Sequence, residues 1–395
     1  MWRTILIALT IFIYSCGGNT GNKDTDSVKK AKEIRLVSNP DTIIKDLSVI
    51  AEDVDYIPLH KTINSEIKAI DKIVIHKDKI YINLINCLLC FNAEGQYLYK
   101  LNRNIKGAGA FDVIYDFDIS SDDSLLVVLT GHNILQFKNT GDEFVFQNSI
   151  KLGSPSPSKL DNIPGTDNIL LSNNRVSGLE PTFNMLINRN GDTLCFRPNY
   201  QKKRIMVGTS VKAINFKYGD NVYFKDIPSD TVFLTNGESN EFTPEYIFIS
   251  RLSSTTSQNL DDPEYRKILP RLFQIFETHR YLYYTYFFNT PDMSIFSIPD
   301  RVFYDKLKNK KFEINPGNSG LEDDIVGGPD FDPKFCSEGK MYSWIGAGEL
   351  KQYLGSKDFA VTLVQNSKKR DDLKKLGLSL KDDDNPILVL VKLKN

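Results

Sequence analysis

The chain is poor in the residues that carry common catalytic chemistry. Its 395 residues include only four histidines, and no two of these stand at the spacing of a metal-binding pair. No HExxH, GxSxG, P-loop or EF-hand pattern occurs. The sequence therefore predicts no resident metal and no cofactor, and it offers no established catalytic motif. The histidines are His60, His76, His132 and His279.

An excess of positive charge is also lacking. Lysine and arginine number 49 against 50 aspartates and glutamates, so no electrostatic feature favours a polyanion. Nucleic acid is therefore not an expected partner. Two acidic triplets, 322–324 and 382–384, could bind a hard cation through oxygen, or could be solvated loop charge.

Cysteine is scarce as well, with five in the chain. Apart from Cys16, the even number would permit two disulfides in an oxidising compartment. Cys87 and Cys90 have the spacing of half a zinc site, but they lie in an apolar strand. Residues three apart in a strand point to opposite faces, which predicts buried structural thiols. The remaining two are Cys195 and Cys336.

The single long apolar run lies at the amino terminus. Arg3 precedes residues 5–13, a run too short for the roughly 20 residues of a membrane-spanning helix and typical of a secretion signal. Ser15 followed by Cys16 resembles the lipobox of bacterial lipoproteins, in which the cysteine is lipidated; a non-lipidated signal is the alternative. We thus predict a signal peptide over 1–16, a polar tether over 17–32 and a folded body over 33–395, in an outer-membrane lipoprotein displayed on either membrane face.

A strand-turn-strand pattern fills the rest of the chain. Units of alternating apolar residues recur six times, and the turns 92–95, 139–142 and 188–192 fall between the same two strands of their units. Asparagine and glycine there supply positive φ at low cost. The pattern predicts an all-β fold, a six-bladed β-propeller of four-stranded antiparallel blades. The units begin near residues 78, 123, 167, 220, 279 and 339.

Two segments interrupt the strand pattern with helical spacing. In the first, Asp261 to Pro263 resemble a helix start, and apolar residues follow at 265, 268, 269, 272, 273 and 276. The second is 367–378, where Leu373 and Leu376 lie among charges. Both are predicted to be short helical insertions on one rim, which could also cover a pocket or dock a partner.

The order of these motifs resembles the Bacteroidetes-type six-bladed β-propeller lipoprotein family, with NHL-like propellers. The resemblance rests on the lipobox-like cysteine, the polar tether, and segments 54–59, 91–95 and 384–394. It implies that an amino-terminal strand, 55–59 or 34–37, closes the ring beside 387–393. The family's glycine-rich loop corresponds to 106–111, which lacks the usual proline and glutamate.

Two functions of different class follow. The first is a lipid-anchored binding module that holds a glycan, peptide or protein; the alternative is a lyase or hydrolase with its site in the central funnel. Trp344 precedes a glycine-rich loop, and its side chain either faces the funnel or is buried. The aromatic run 281–288 either stacks on a sugar or packs in the core. The candidate ligand-binding residues are Arg103, Asp118, Arg175 and Trp344.

Overall fold

The computed structural model describes residues 30–36, 40–103, 107–153, 156–174, 178–200, 213–225, 230–249, 270–288 and 299–395. Residues 31–395 form one compact unit. The predicted signal peptide, which includes Cys16, lies outside the described residues, as does most of the tether. Arg175 also lies outside them. Within the described ranges, no helix has both the length and the apolar character needed to cross a membrane.

Six separate sheets form the body of the protein. The amino-terminal segment supplies β1 (Lys32–Arg35), β2 (Thr42–Ile44) and β3 (Ala51–Pro58). Blade 1 contains β4 (Lys72–His76), β5 (Lys79–Asn83), β6 (Cys87–Asn92) and β7 (Tyr97–Asn102). Blade 2 contains β8 (Asp116–Ile119), β9 (Leu125–Leu129), β10 (Asn133–Asn139) and β11 (Phe144–Lys151). Blade 3 contains β12 (Lys159–Asn162), β13 (Ile169–Ser172), β14 (Thr182–Ile187) and β15 (Thr193–Pro198).

The remaining blades combine later strands with the amino-terminal ones. Blade 4 contains β16 (Ile214–Tyr218), β17 (Asn221–Lys225), β18 (Thr231–Thr235) and β19 (Thr243–Ile249). Blade 5 contains β20 (Pro270–Glu277), β21 (Tyr281–Phe288), β22 (Asp300–Asp305) and β23 (Lys310–Ile314). Blade 6 contains β24 (Phe335–Ser337), β25 (Lys340–Ile345) and β26 (Ile387–Leu393). The first strands of neighbouring blades contact one another around the ring, which confirms the predicted propeller.

The amino-terminal strands complete three blades from outside. β3 pairs antiparallel with β26 and supplies the fourth strand of blade 6, so the first of the two expected closing segments is the right one. β1 instead pairs parallel with β19 in blade 4, and β2 pairs parallel with β23 in blade 5. These additions cover sheet edges that would otherwise expose unpaired backbone groups.

The turn after β6 shows why one repeated glycine is required. Gly95 has φ of 78°, and a Cβ atom built there would lie 2.1 Å from the carbonyl oxygen of Pro58 at the end of β3. The turn therefore needs glycine both for its backbone conformation and for its contact with the closing strand.

The first predicted helix is wrong where the structure describes it. Residues 270–277 form β20, the inner strand of blade 5, whereas 261–269 lie outside the described residues. A register shift between Leu272 and Gln274 breaks the alternation of β20. The shift places apolar residues at a spacing that imitates a helix, because Leu272, Ile275 and Phe276 pack into the clusters on both sides of the blade.

The second predicted helix is confirmed, and it belongs to a larger insertion than the sequence indicates. Between β25 and β26 the chain forms α1 (Ala347–Leu354), α2 (Lys357–Val361) and α3 (Ser367–Ser379), so a helix begins where the sequence predicts a glycine-rich loop. Leu373 is buried against the core, and Lys369 Nζ lies 2.6 Å from carboxylate oxygens of both Asp53 and Asp55 on β3. The insertion is thus attached to the closing strand.

The core lies between the blades. Along β21, Tyr281 and Tyr283 pack towards blade 6, and Tyr284 and Tyr286 pack towards blade 4. All four side chains are buried, which confirms that this aromatic run packs in the core.

Candidate functional site

The two faces of the ring differ in their connections. Turns such as 77–78, 93–96 and 188–192 join strands at one face and are short. The opposite face, where every inner strand begins, carries the segments 59–71, 315–334 and the helical insertion 346–386. Long connections on a rigid scaffold are the usual carriers of function, so this long-connection face is the place to look for a site. All three segments adjoin blade 6.

Carboxylates from blade 2 cap the inner edge of blade 3 inside the channel. Alternate N–H groups of an edge strand point away from its only partner strand, and Leu160 and Asn162 present theirs in this way on β12. The Leu160 N–H donates to Asp116 Oδ2 at 2.9 Å, and the Asn162 N–H donates to Asp118 Oδ2 at 2.7 Å. The two aspartates therefore join neighbouring blades.

Two lysines complete this channel network from the blades on either side. Lys72 on β4 donates to Asp116 Oδ1 at 2.6 Å and to the Phe117 carbonyl at 2.8 Å. Lys217 on β16 forms an ion pair with Asp118. Removing either partner would leave a largely buried charge uncompensated, which is strongly destabilising.

Asp161 on β12 is the third acid of the channel network. Burial raises the pKa of its carboxyl, whereas the charges of Lys72 and Lys217 oppose the rise. Asn215 Nδ2 on β16 donates to Asp161 Oδ2 at 2.8 Å and also to Ser172 Oγ at 2.9 Å. The network thus links the inner strands of blades 1 to 4.

A cavity of about 310 Å³ opens on the long-connection face at blade 6. Its walls come from the segment before β24, from the end of β25, from α1 and from β26. The lining residues are Ser319, Pro329, Asp330, Phe331, Asp332, Lys334, Ser343, Trp344, Ile345, Glu349 and Val389. The volume is at the small end of the range for ligand pockets.

Trp344 lines this cavity, and its indole packs towards blade 1, on the face of β25 opposite to Ile345. Lys334 Nζ lies 4.2 Å from the centre of the indole ring and donates to the Trp344 carbonyl at 3.2 Å. The Phe335 ring lies 6.4 Å away on a tilted plane and stacks in turn on Tyr342 at 4.9 Å. The indole is therefore held in place by neighbours on the inner two strands of blade 6.

The acidic groups of the cavity are held by the 315–334 segment and α1. Arg301, itself 5% exposed, donates to the carbonyls of Ser319 and Asn318 and lies 3.3 Å from Asp332 Oδ1. Burial raises the pKa of Asp332, whereas Arg301 opposes the rise. Burial lowers the pKa of Lys334, and Asp332 and Glu349 oppose that change.

The predicted candidates lie in different places. Trp344 is half-buried and lines the cavity, and Asp118 lies in the channel network with its carboxylate engaged. Arg103 is exposed in the turn after β7, and Arg175 lies outside the described residues. The structure therefore does not bring the three described candidates together, and a binding role for the four stays a prediction.

Asp323 of the first acidic triplet is buried, whereas Asp382 and Asp383 of the second form ion pairs at the surface. Asp323 accepts hydrogen bonds from the N–H groups of Ile325, Val326 and Gly328 and from the Tyr56 hydroxyl. In the other triplet, Asp382 pairs with Lys351 and Asp383 with Lys61. Across the described part of the chain, no cluster of three or more acidic, histidine or cysteine side chains could hold a metal ion.

All four described cysteines are free thiols. Cys90 packs between blades 1 and 2, whereas Cys87 contacts the cluster on the other side of blade 1, as expected for residues three apart in a strand. Burial raises the pKa of Cys90 and of Cys336 to about 12, so these thiols stay protonated. They are structural residues.

Comparison with known proteins places the chain in a family. A family model described as a domain of unknown function, DUF4934, matches residues 32–392. The chain belongs to this family. A search of curated proteins finds no match.

One solved structure shows that this DUF4934 protein shares its fold with another protein of low sequence identity. A predicted exported protein of Bacteroides fragilis NCTC 9343 is 16% identical, with a TM-score of 0.66 over 93% of this chain and 100% of that chain. U3-55K is 11% identical over 88% of this chain and 99% of that chain, with a TM-score of 0.41. Hydrazine synthase of Kuenenia stuttgartiensis is 12% identical over 81% and 85%, with a TM-score of 0.40. The last two scores carry no argument.

The DUF4934 match and the Bacteroides structure confirm the six-bladed propeller of the expected resemblance. The lipoprotein and NHL-like parts of that resemblance stay predictions. Sequence reasoning missed the channel lysines and all three cavity acids. A signal did exist for the channel, because Asp116 and Asp118 stand two apart where an inner strand begins, and alternate residues of a strand share a face.

Replacing Asp161 by asparagine should change the pH dependence of stability. A carboxyl whose pKa is raised by folding costs stability once the pH exceeds its unfolded pKa of about 3.9. The wild-type free energy of unfolding should therefore fall relative to that of Asp161→Asn as the pH rises above this value. The free energy of unfolding should fall by roughly 1.4 kcal/mol for each unit by which folding raises the pKa of Asp161. Urea unfolding between pH 3.5 and 8 measures the difference.

The exposed turn residue Asp142 provides the control, since Asp142→Asn removes a carboxyl outside the channel. A difference between wild type and Asp161→Asn that does not vary with pH would contradict the raised pKa.

Proposed function

We propose that this DUF4934 propeller is a lipid-anchored binding module of the cell envelope, which holds a glycan, peptide or protein on its long-connection face. The observation that carries the proposal is the cavity beside Trp344. Its position on the long-connection face at blade 6, the aromatic residues Phe331 and Trp344 in its lining and its charged and polar groups are the features of a ligand pocket.

The channel supports a binding function better than a lyase or hydrolase. An enzyme in the funnel needs an acid or base that can reach its substrate. Asp116 and Asp118 are 5% and 3% exposed, and their carboxylates already accept backbone N–H groups and pair with Lys72 and Lys217. These groups are committed to joining the blades, whereas the cavity acids lie at the surface.

Two observations support placement in the envelope. The apolar segment 5–13 followed by Ser15 and Cys16 resembles a lipoprotein signal, and a polar tether separates it from the first strand. The Bacteroides fragilis protein that shares the fold is described as a predicted exported protein, which agrees with the same placement. The lipid on Cys16 would hold the propeller at the outer membrane, in the periplasm or at the cell surface.

Replacing Cys16 by alanine should release the protein from the membrane. In cells that process lipoproteins, we expect the wild-type chain in the detergent phase of a Triton X-114 extraction and the Cys16→Ala chain in the aqueous phase, because the acyl chains are absent. Cys195→Ala removes another free thiol and should behave as wild type. Retention of Cys16→Ala in the detergent phase would contradict the lipid anchor.

Replacing Trp344 should abolish ligand-induced stabilisation. Thermal unfolding of the full chain against oligosaccharides, peptides and candidate proteins should reveal a ligand that stabilises the wild type by about 2.7 kcal/mol at a hundred times its dissociation constant. Trp344→Ala should lose this stabilisation, because Lys334, which also lines the cavity, loses the indole that holds it in place.

Phe196→Ala is the matched control, since Phe196 is an aromatic side chain 55% exposed on β15, away from the cavity. It should keep the full ligand-induced shift. A shift that survives in Trp344→Ala would place the ligand elsewhere and overturn the proposed site.

A further inference from the structure

The cavity beside Trp344 carries more negative than positive charge. Asp330, Asp332 and Glu349 line it, against one lysine, Lys334. Of the three acids, only Asp332 has a cation within ion-pair distance in the described part of the chain, and that cation is Arg301. Asp330 accepts a hydrogen bond of 2.6 Å from the Ser319 hydroxyl, which satisfies one oxygen without neutralising the charge. The excess charge next to open space favours a cationic occupant.

The inner wall holds a hydroxyl that no described residue satisfies. Ser343 is 9% exposed and lines the cavity from β25, and the described part of the chain offers its side chain no hydrogen-bond partner. The hydroxyl is accessible from the cavity, so a ligand that hydrogen-bonds to it would replace water there. The cavity therefore has a polar inner end as well as an acidic mouth formed by Asp330 and Glu349, both exposed.

The indole of Trp344 is not an open platform for a sugar ring. The Lys334 ammonium lies 4.2 Å from its centre, and Phe335 approaches it on a tilted plane. Stacking of a pyranose would require displacement of these neighbours. Because the Lys334 ammonium already occupies this ring face, a cationic ligand would have to bind away from it, at Asp330 and Glu349.

We propose that the cavity binds the guanidinium or ammonium group of a basic peptide side chain. This inference rests on the proposed binding function and names its ligand chemistry. The carboxylates of Asp330 and Glu349 accept hydrogen bonds from the cationic group at the mouth, and the alkyl stem of the side chain lies along Ile345. The Ser343 hydroxyl meets the polar end at the inner wall.

Trp344 gives a direct readout of this site. The chain contains two tryptophans, Trp2 and Trp344, so the full chain carrying Trp2→Phe emits from Trp344 alone. Its emission is titrated with acetyl-Gly-Arg-Gly-amide and with the same peptide containing citrulline, which keeps the shape of arginine but has no charge. We expect saturable binding of the arginine peptide, about tenfold or more tighter than that of the citrulline peptide.

Variants of the cavity acids test the charge contribution. Two variants, Glu349→Gln and Asp330→Asn, are each made in the Trp2→Phe chain. Each should weaken binding of the arginine peptide about threefold to tenfold. Raising the salt concentration should reduce the difference in affinity between each variant and the Trp2→Phe chain, because salt screens the charges. Asp371→Asn removes an exposed acid of the same insertion that does not line the cavity, and it should leave the affinity unchanged.

The outcomes separate this inference from the proposed function. Equal affinity for the arginine and citrulline peptides, or no saturable change with either, overturns the cationic ligand. Binding of glucosamine without binding of the arginine peptide also overturns it and identifies an amino sugar as the source of the cation. The proposed binding function is tested separately by the thermal screen, and it fails if no oligosaccharide, peptide or protein stabilises the wild type.

Discussion

The structure depends on the pairing of β3 with β26. Seven register pairs join the two strands, from Ile387 with Pro58 to Leu393 with Ala51, so blade 6 is built from both ends of the described chain. Pairing with β3 covers the edge of β26, which would otherwise expose unpaired backbone groups. It also positions the cavity, since Val389 of β26 lines it and α3 is attached to β3 through Lys369. Loss of this pairing would therefore disrupt the fold and the site together.

The channel meets a second constraint of the ring. The inner strand of each blade pairs with a neighbouring strand on one side only. Its N–H groups that point into the channel must therefore find other acceptors. Between blades 2 and 3 the acceptors are side-chain carboxylates, whose charges are balanced by Lys72 and Lys217 from blades 1 and 4. Charged residues in a propeller channel are often candidates for catalysis. Here their contacts give them a structural role, which directs attention to the long-connection face.

Local sequence patterns predict the ring well and the site poorly. Repeated turns and period-two apolar residues are set by neighbours in sequence, so six blades and the α3 helix can be predicted. The inner strand of blade 5 escapes prediction because the register shift at Leu272 alters the spacing of its apolar residues. The cavity combines Asp330, Trp344 and Glu349 from three elements, and only the tertiary fold brings them together. Trp344 can be identified from the sequence because tryptophan is rare in this chain and stands here beside glycines.

The central claim is that ligand binding takes place on the long-connection face at blade 6. Hydrogen–deuterium exchange of the full chain, with and without the ligand found by thermal unfolding, tests it most directly, because each face contributes distinct peptides. The account predicts slower exchange in 315–334 and 346–386 when ligand is bound, with the turns 93–96, 140–143 and 188–192 unchanged. Protection confined to those turns would place the ligand on the opposite face and contradict the account.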